Sequence, residues 1–190
     1  MRMTPEDFFG LLAPAAVKIC KEYNLYPSVC MAQAAIESTW GEDIIEATSE
    51  DVESSRATGA GGFNLFGRKA VSSDSMQKWE WTREHGGPEA YEEDNDHIYL
   101  GENRWKIKAW FKLYPSIESA IVDYCVLLTE EPCYAPVVAR RGNRKGFIYA
   151  LAGDGVKAGV YATNENYGPE IIMTIKANEL DQYDKNIGGF

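Results

Sequence analysis

Glu37 is the residue whose type and setting are best suited to chemistry. A carboxylic acid that stays protonated near neutral pH can donate to the leaving oxygen of a glycosidic bond. Glu37 falls near the C-terminal end of an expected helix, where the dipole's partial negative charge disfavours ionisation. Its neighbours Ala34, Ala35, Ile36 and Trp40 are apolar, so partial desolvation pushes its pKa the same way. Gln33, Glu37 and Trp40 stand at i, i+4 and i+7 and line one edge of that helix. Carboxylates on helices are common, and on composition alone an exposed glutamate on an amphipathic helix is the commoner reading. Metal chemistry has little to draw on: the 2 histidines, His85 and His97, and the 4 cysteines, Cys20, Cys30, Cys125 and Cys133, form no CxxC or zinc-like spacing. No metal or cofactor is expected. Cys20 and Cys125 sit among apolar helical residues and read as small core side chains rather than disulfide partners.

The elements that must position Glu37 are well marked. Thr4 suits an N-cap, Pro5 the first helical position, and Glu6 and Asp7 the positive end of the dipole. Phe8, Leu11, Leu12, Ala15, Ala16 and Ile19 then follow helical spacing to about Asn24. A second helix is expected from about Pro27 to Trp40, stopping at Gly41, with an inward stripe of Val29, Ala32, Ile36 and Trp40. Residues 43–61 lose periodicity and are expected to form a mobile, acidic loop. From Val71 to Phe111 the pattern changes to period two, in Trp79-Glu80-Trp81-Thr82 and Trp105-Lys106-Ile107-Lys108. This predicts two or three antiparallel strands around an acidic turn, Gly86 to Asp96. Helical spacing returns after Ser116, through Ile117, Ala120, Ile121, Tyr124, Leu127 and Leu128. Shorter helices are expected at 134–140 and 147–152, and a last one at about 165–183.

Composition excludes several classes. With 45% hydrophobic and 25% charged residues the chain has ordinary globular make-up. A net charge of −10 gives no general attraction to nucleic acid, to an anionic membrane or to an anionic cell wall. Any affinity for such a polymer would have to come from a specific cleft. The one basic run, Arg140 to Lys145, reads first as a solvated loop, and contact with an anionic polymer is the sharper alternative. The N-terminus lacks the apolar segment of a signal peptide, and no stretch is long and apolar enough for a membrane span. The expectation is release by means other than a signal peptide, or an export segment lying outside this sequence.

Four segments together carry a resemblance. Ala32-Gln33-Ala34-Ala35-Ile36-Glu37-Ser38-Thr39-Trp40-Gly41 resembles the catalytic-helix motif of the endo-β-N-acetylglucosaminidases of glycoside hydrolase family 73, which include flagellar rod-cap hydrolases, autolysins and phage lysins. Gly62-Phe63-Asn64-Leu65-Phe66-Gly67-Arg68-Lys69-Ala70 resembles the family's second signature. Phe111-Lys112-Leu113-Tyr114, with Ser116 and Ile121 to Tyr124, resembles its third. Tyr161-Ala162-Thr163-Asn164, followed by Asn166-Tyr167, resembles its fourth. The order is that of the family and the motifs cover nearly the whole chain.

The resemblance implies an α+β, mainly α fold. A lysozyme-like helical lobe (about 1–70 and 112–190) and a small antiparallel β-lobe (about 71–111) would flank a substrate cleft within one domain, 1–190. It implies Glu37 as general acid and Tyr161 as a tyrosine lining the reaction centre. Glu84, in Thr82-Arg83-Glu84, would be the second carboxylate, although the acidic stretch after it departs from the family pattern. Gln33, Trp40, Asn64, Phe66, Gly67 and Tyr167 would line the substrate. The family's usual glycine before Trp40 is Thr39 here, and its usual aspartate after Tyr114 is Pro115. The implied partner is a peptidoglycan glycan strand, cut by a monomer at the wall, with neither nucleic acid nor membrane involved. The cut would follow either of two routes: inversion by a carboxylate-activated water, or attack by the substrate's own N-acetyl group. A muramidase or lytic transglycosylase of lysozyme-like fold is the alternative enzyme. A catalytically dead wall-binding or structural module is the alternative of another class.

Overall fold

The computed structural model describes residues 3–42, 62–71, 77–85, 97–153, 161 and 166–185. The expected 43–61 loop and the acidic turn 86–96 lie outside the described residues. The chain divides into two compact units, residues 1–44 with 116–190, and residues 45–115.

The first unit is helical. Helix α1 (Pro5–Glu22) starts as expected, with the Thr4 hydroxyl accepting from Asp7 N–H at 3.1 Å. Helix α2 (Pro27–Glu37) differs from the amphipathic expectation: every residue from Pro27 to Ala35 is buried, so it has no solvent face. Its residues are small or apolar, and it packs against α1 and the C-terminal helices. It also ends at Glu37, not Trp40, because Thr39, Trp40 and Gly41 all turn left-handed, with φ of 47°, 58° and 82°. Trp40 N–H closes the end on Ala35 C=O at 2.8 Å. Gly41 suits that position, since a φ of 82° strains any residue with a Cβ.

Thr39 occupies a left-handed position with a β-branched side chain, a strained choice where glycine would be at ease. Thr39→Gly is therefore expected to stabilise the fold by about 1 kcal/mol, or roughly 2–4 °C in Tm. Thermal denaturation checks this, and a lowered Tm would contradict the strain.

Helix α3 (Ile117–Glu130) opens with a reciprocal cap between Ser116 and Ser119 and buries Ala120, Ile121, Tyr124, Cys125, Leu127 and Leu128. The expected 134–140 helix resolves into a 3₁₀ turn, Pro132–Tyr134, and a one-turn helix α4 (Ala135–Val138). The next, α5 (Arg144–Leu151), begins earlier than expected because Asn143 caps it, so the basic run is a turn that becomes a helix start. The last expected helix is interrupted: α6 (Tyr167–Ala177) stops, Glu179 turns left-handed at φ 52°, and a 3₁₀ segment Leu180–Asp184 follows. Cys20, Cys30 and Cys125 are buried thiols in this core, with Cys20 Sγ 3.9 Å from Cys125 Sγ. Among the described residues no helix is long and apolar enough to cross a membrane.

The second unit holds a three-stranded antiparallel sheet in the order β1–β3–β2, from β1 (Gln77–His85), β2 (His97–Gly101) and β3 (Arg104–Lys112). Period two separates its faces. Trp105, Ile107 and Phe111 of β3 are buried on one of them, while Trp110 is exposed on the other. Residues 62–71 join this sheet and not the helical lobe expected from the sequence. Lys112 N–H donates to Arg68 C=O, Ala70 N–H to Trp110 C=O, and Phe63 N–H to Tyr114 C=O. The backbone pairing thus moves the boundary of the sheet unit to about residue 45.

Candidate active site

Glu37 is the last residue of α2, half-buried, and its surroundings favour the acid form. Burial raises its pKa above the ordinary glutamate range, and a hydrogen bond from Tyr167 only partly opposes that rise. The Tyr167 hydroxyl donates to Glu37 Oε1 at 2.8 Å. That hydroxyl in turn accepts from Gln33 Nε2 at 2.8 Å, and Gln33 Oε1 accepts from the Tyr124 hydroxyl at 2.6 Å. The result is a directed chain, Tyr124 to Gln33 to Tyr167 to Glu37. Each member spends its donor on the next, so Glu37 Oε1 is an acceptor and Oε2 is left to carry the proton. Burial pushes the pKa of both tyrosines far up, so they stay neutral donors across the working pH range.

Helix geometry explains the arrangement. Gln33 and Glu37 are one turn apart on α2 and so share an edge. Gln33, Tyr124 and Tyr167 are buried, and three hydroxyl or amide groups inside a core must bond to one another. Tyr161 completes the tyrosine wall: its ring stacks on Tyr167 at 6.1 Å between centroids and 7° between planes, with Tyr124 edge-on at 6.3 Å. The structure therefore brings Gln33, Glu37, Tyr161 and Tyr167 together.

Several roles change. Gln33 was expected to touch substrate, but it is fully buried with both ends of its amide bonded, so it positions Tyr167. Tyr167 is likewise buried and acts on Glu37. Trp40 is half-exposed, and its ring lies edge-on to Phe8 and Phe9 of α1, at 6.4 and 5.5 Å. Tyr124 was not singled out as a site residue. Its signal was a hydroxyl on the buried stripe of α3, which needs a partner.

In the sheet unit, Asn64 is a clasp. Its Nδ2 donates to Arg68 C=O and Lys112 C=O, each at 2.9 Å, and its Oδ1 accepts from Arg68 N–H at 2.9 Å. Phe66 is buried, and Gly67 takes a left-handed φ of 59° in the same turn. Asn64 and Phe66, expected to line the substrate, are both buried within this turn. Asn64→Ala is expected to cost about 3 kcal/mol, because it removes three part-buried hydrogen bonds at about 1 kcal/mol each. A lowered Tm tests this; an unchanged Tm with a raised KM would restore the substrate role. Glu84, on β1 opposite Trp105, is held by Lys69 Nζ at 2.6 Å and by the Thr82 hydroxyl at 3.2 Å. Among the described residues no three His, Cys, Asp or Glu side chains gather as a metal site would require.

A carboxylic acid biased toward its protonated form at the end of a buried helix is the equipment of a glycosidase of the lysozyme-like, mainly helical kind. Comparison with known proteins makes the family explicit. The mannosyl-glycoprotein endo-β-N-acetylglucosaminidase family matches residues 13–180, and the chain belongs to this glucosaminidase family of glycoside hydrolases. The peptidoglycan hydrolase FlgJ of Salmonella typhimurium is 31% identical over 171 residues, covering 90% of this chain and 45% of FlgJ. The autolysin of Enterococcus faecalis is 29% identical over 194 residues, covering 98% of this chain and 22% of that protein. The crystal structure of the catalytic domain of the autolysin Auto from Listeria monocytogenes aligns with a TM-score of 0.65 at 26% identity, covering 97% of this chain and 91% of that one. The chain spans about half the length, or less, of these curated relatives.

Proposed function

We propose that this chain hydrolyses peptidoglycan as an endo-β-N-acetylglucosaminidase, cutting the β-1,4 bond between N-acetylglucosamine and N-acetylmuramic acid. Glu37 is the general acid, delivering its proton from Oε2 to the leaving oxygen. The observation that carries this reading is the bias of Glu37 toward its acid form while Tyr167 fixes the carboxyl's orientation. The names of the relatives support the substrate class. In this reading the protein acts as a monomer on wall glycan, outside the cytoplasmic membrane, with no cofactor.

Two routes can complete the reaction. In the inverting route, Glu84 takes a proton from the attacking water, and its contact with Lys69 holds the side chain in place. In the substrate-assisted route, the N-acetyl oxygen attacks the anomeric carbon and Tyr161 steadies the reacting group. The test is digestion of purified sacculi, borohydride reduction of the products and mass spectrometry of the reduced ends. N-acetylglucosamine at the new reducing ends is expected. N-acetylmuramic acid or its anhydro form there would replace this reading with a muramidase or lytic transglycosylase.

A further inference from the structure

The sheet has a second face that the chemistry above does not use. Strand register places Trp79 directly opposite Trp110 on it, with ring centroids 5.1 Å apart and each residue 41% exposed. Trp81 follows two residues on, with Lys106 Nζ and Lys108 Nζ lying 4.9 and 5.3 Å from its ring centroid. Arg83 and Lys106 are register partners on the same face. By strand parity the face also carries Lys112 and Arg104, the latter paired with the turn residue Glu102. The only carboxylates in the three strands, Glu80 and Glu84, sit at the alternate positions and point to the opposite face. On a chain of net charge −10, this segregation gives a locally positive strip floored by exposed indoles.

We propose that this outward sheet face is a secondary binding platform for an anionic glycan, the carboxylate-bearing glycan strand of the wall, remote in function from bond cleavage. The inference rests on the glucosaminidase reading for the identity of the glycan. Sugar rings present C–H faces that stack on indole, and the strand's peptide carboxylates complement the cations beside it. A net-negative protein working on an anionic polymer needs such a local positive surface, because its overall field repels the substrate. Aromatics among cations also suit single-stranded nucleic acid, but the chain's total charge opposes a phosphate backbone. Because Glu84 points the other way, the platform retains polymer and supplies no reacting group.

The test uses the full chain with Glu37→Gln, so that bound polymer is not digested. Two double variants are made in that background: Trp79→Ala with Trp110→Ala, and Arg83→Gln with Lys106→Gln. The second pair is exposed or half-exposed and alters charge only, so it reports even if loss of both indoles disturbs the sheet. Circular dichroism and Tm check the fold of each. In pelleting with sacculi stripped of phosphate polymers, each double variant is expected to bind about tenfold or more weakly. Binding to neutral chitin is expected to be weaker than to sacculi, and added salt to weaken sacculus binding. With Glu37 restored, both double variants should slow digestion of insoluble sacculi and leave turnover of a short soluble glycan fragment unchanged. Unchanged sacculus binding by the folded variants overturns the proposal, as does binding confined to unstripped wall or tighter binding to a single-stranded oligonucleotide. Normal digestion with unchanged variant binding sinks the platform alone. Loss of binding in the variants, with no product released by the wild type, sinks the hydrolase reading and leaves the platform standing.

Discussion

Glu37→Gln is expected to reduce hydrolysis of peptidoglycan by about 10²–10⁴-fold, the usual contribution of general acid catalysis, without loss of the fold. Glutamine keeps the shape of the side chain and an oxygen to accept from Tyr167, but has no proton to deliver. Stability should move the other way. The folded pKa of Glu37 is raised above its unfolded value, so the native state holds the proton more tightly than the unfolded chain. The wild type then loses stability as pH rises from the ordinary glutamate range through the raised pKa. Above that window it carries the cost of a half-buried carboxylate, which the amide does not. The variant should therefore melt at or above the wild-type temperature at neutral pH, with the difference shrinking toward pH 4. Activity on sacculi within a factor of ten of wild type would remove Glu37 from the mechanism. A large fall in Tm at neutral pH would recast it as a structural residue.

The second large effect separates the two routes. If Glu84 activates water, Glu84→Gln should lower the rate by about 10²-fold or more, and Tyr161→Phe should cost less. If the N-acetyl group attacks, the order reverses. Both measurements need stability controls, because Glu84 also bonds Lys69 and Thr82, and the Tyr161 ring packs on Tyr167. Lys69→Met provides the control for the ion pair. It breaks the same contact, so a loss confined to Glu84→Gln belongs to the carboxylate. Near-normal rates for Glu84→Gln, with a large loss on changing Glu80 or Glu102, would move the second carboxylate elsewhere on the sheet unit.

Much of this was legible in the sequence for local reasons. Thr4-Pro5 announced α1, alternation around Trp79 and Trp105 announced the strands, and the apolar flanks of Glu37 announced its raised pKa. What escaped depends on distant pairings. Gln33 meets Tyr124 and Tyr167 across 91 and 134 residues, separations that no periodicity reports, so a buried positioning amide looked like a substrate ligand. The clasp of Asn64 on Lys112 likewise spans 48 residues. The end of α2 was misjudged because apolar spacing continues to Trp40, whereas the backbone reverses hand at Thr39. The charge segregation of the sheet was invisible until strand register assigned each lysine to a face.

Whether surrounding structure keeps Glu37 in its acid form can be read by titrating its carboxyl. Carbon-13 NMR of glutamate-labelled protein, with the Glu37→Gln variant to assign the resonance, reads the pKa without reference to activity. A value above the ordinary glutamate range of about 4.3 is expected, and a still higher one in Tyr167→Phe, where the hydrogen bond that favours the carboxylate is gone. A Glu37 pKa at or below the ordinary range in the wild type would contradict it.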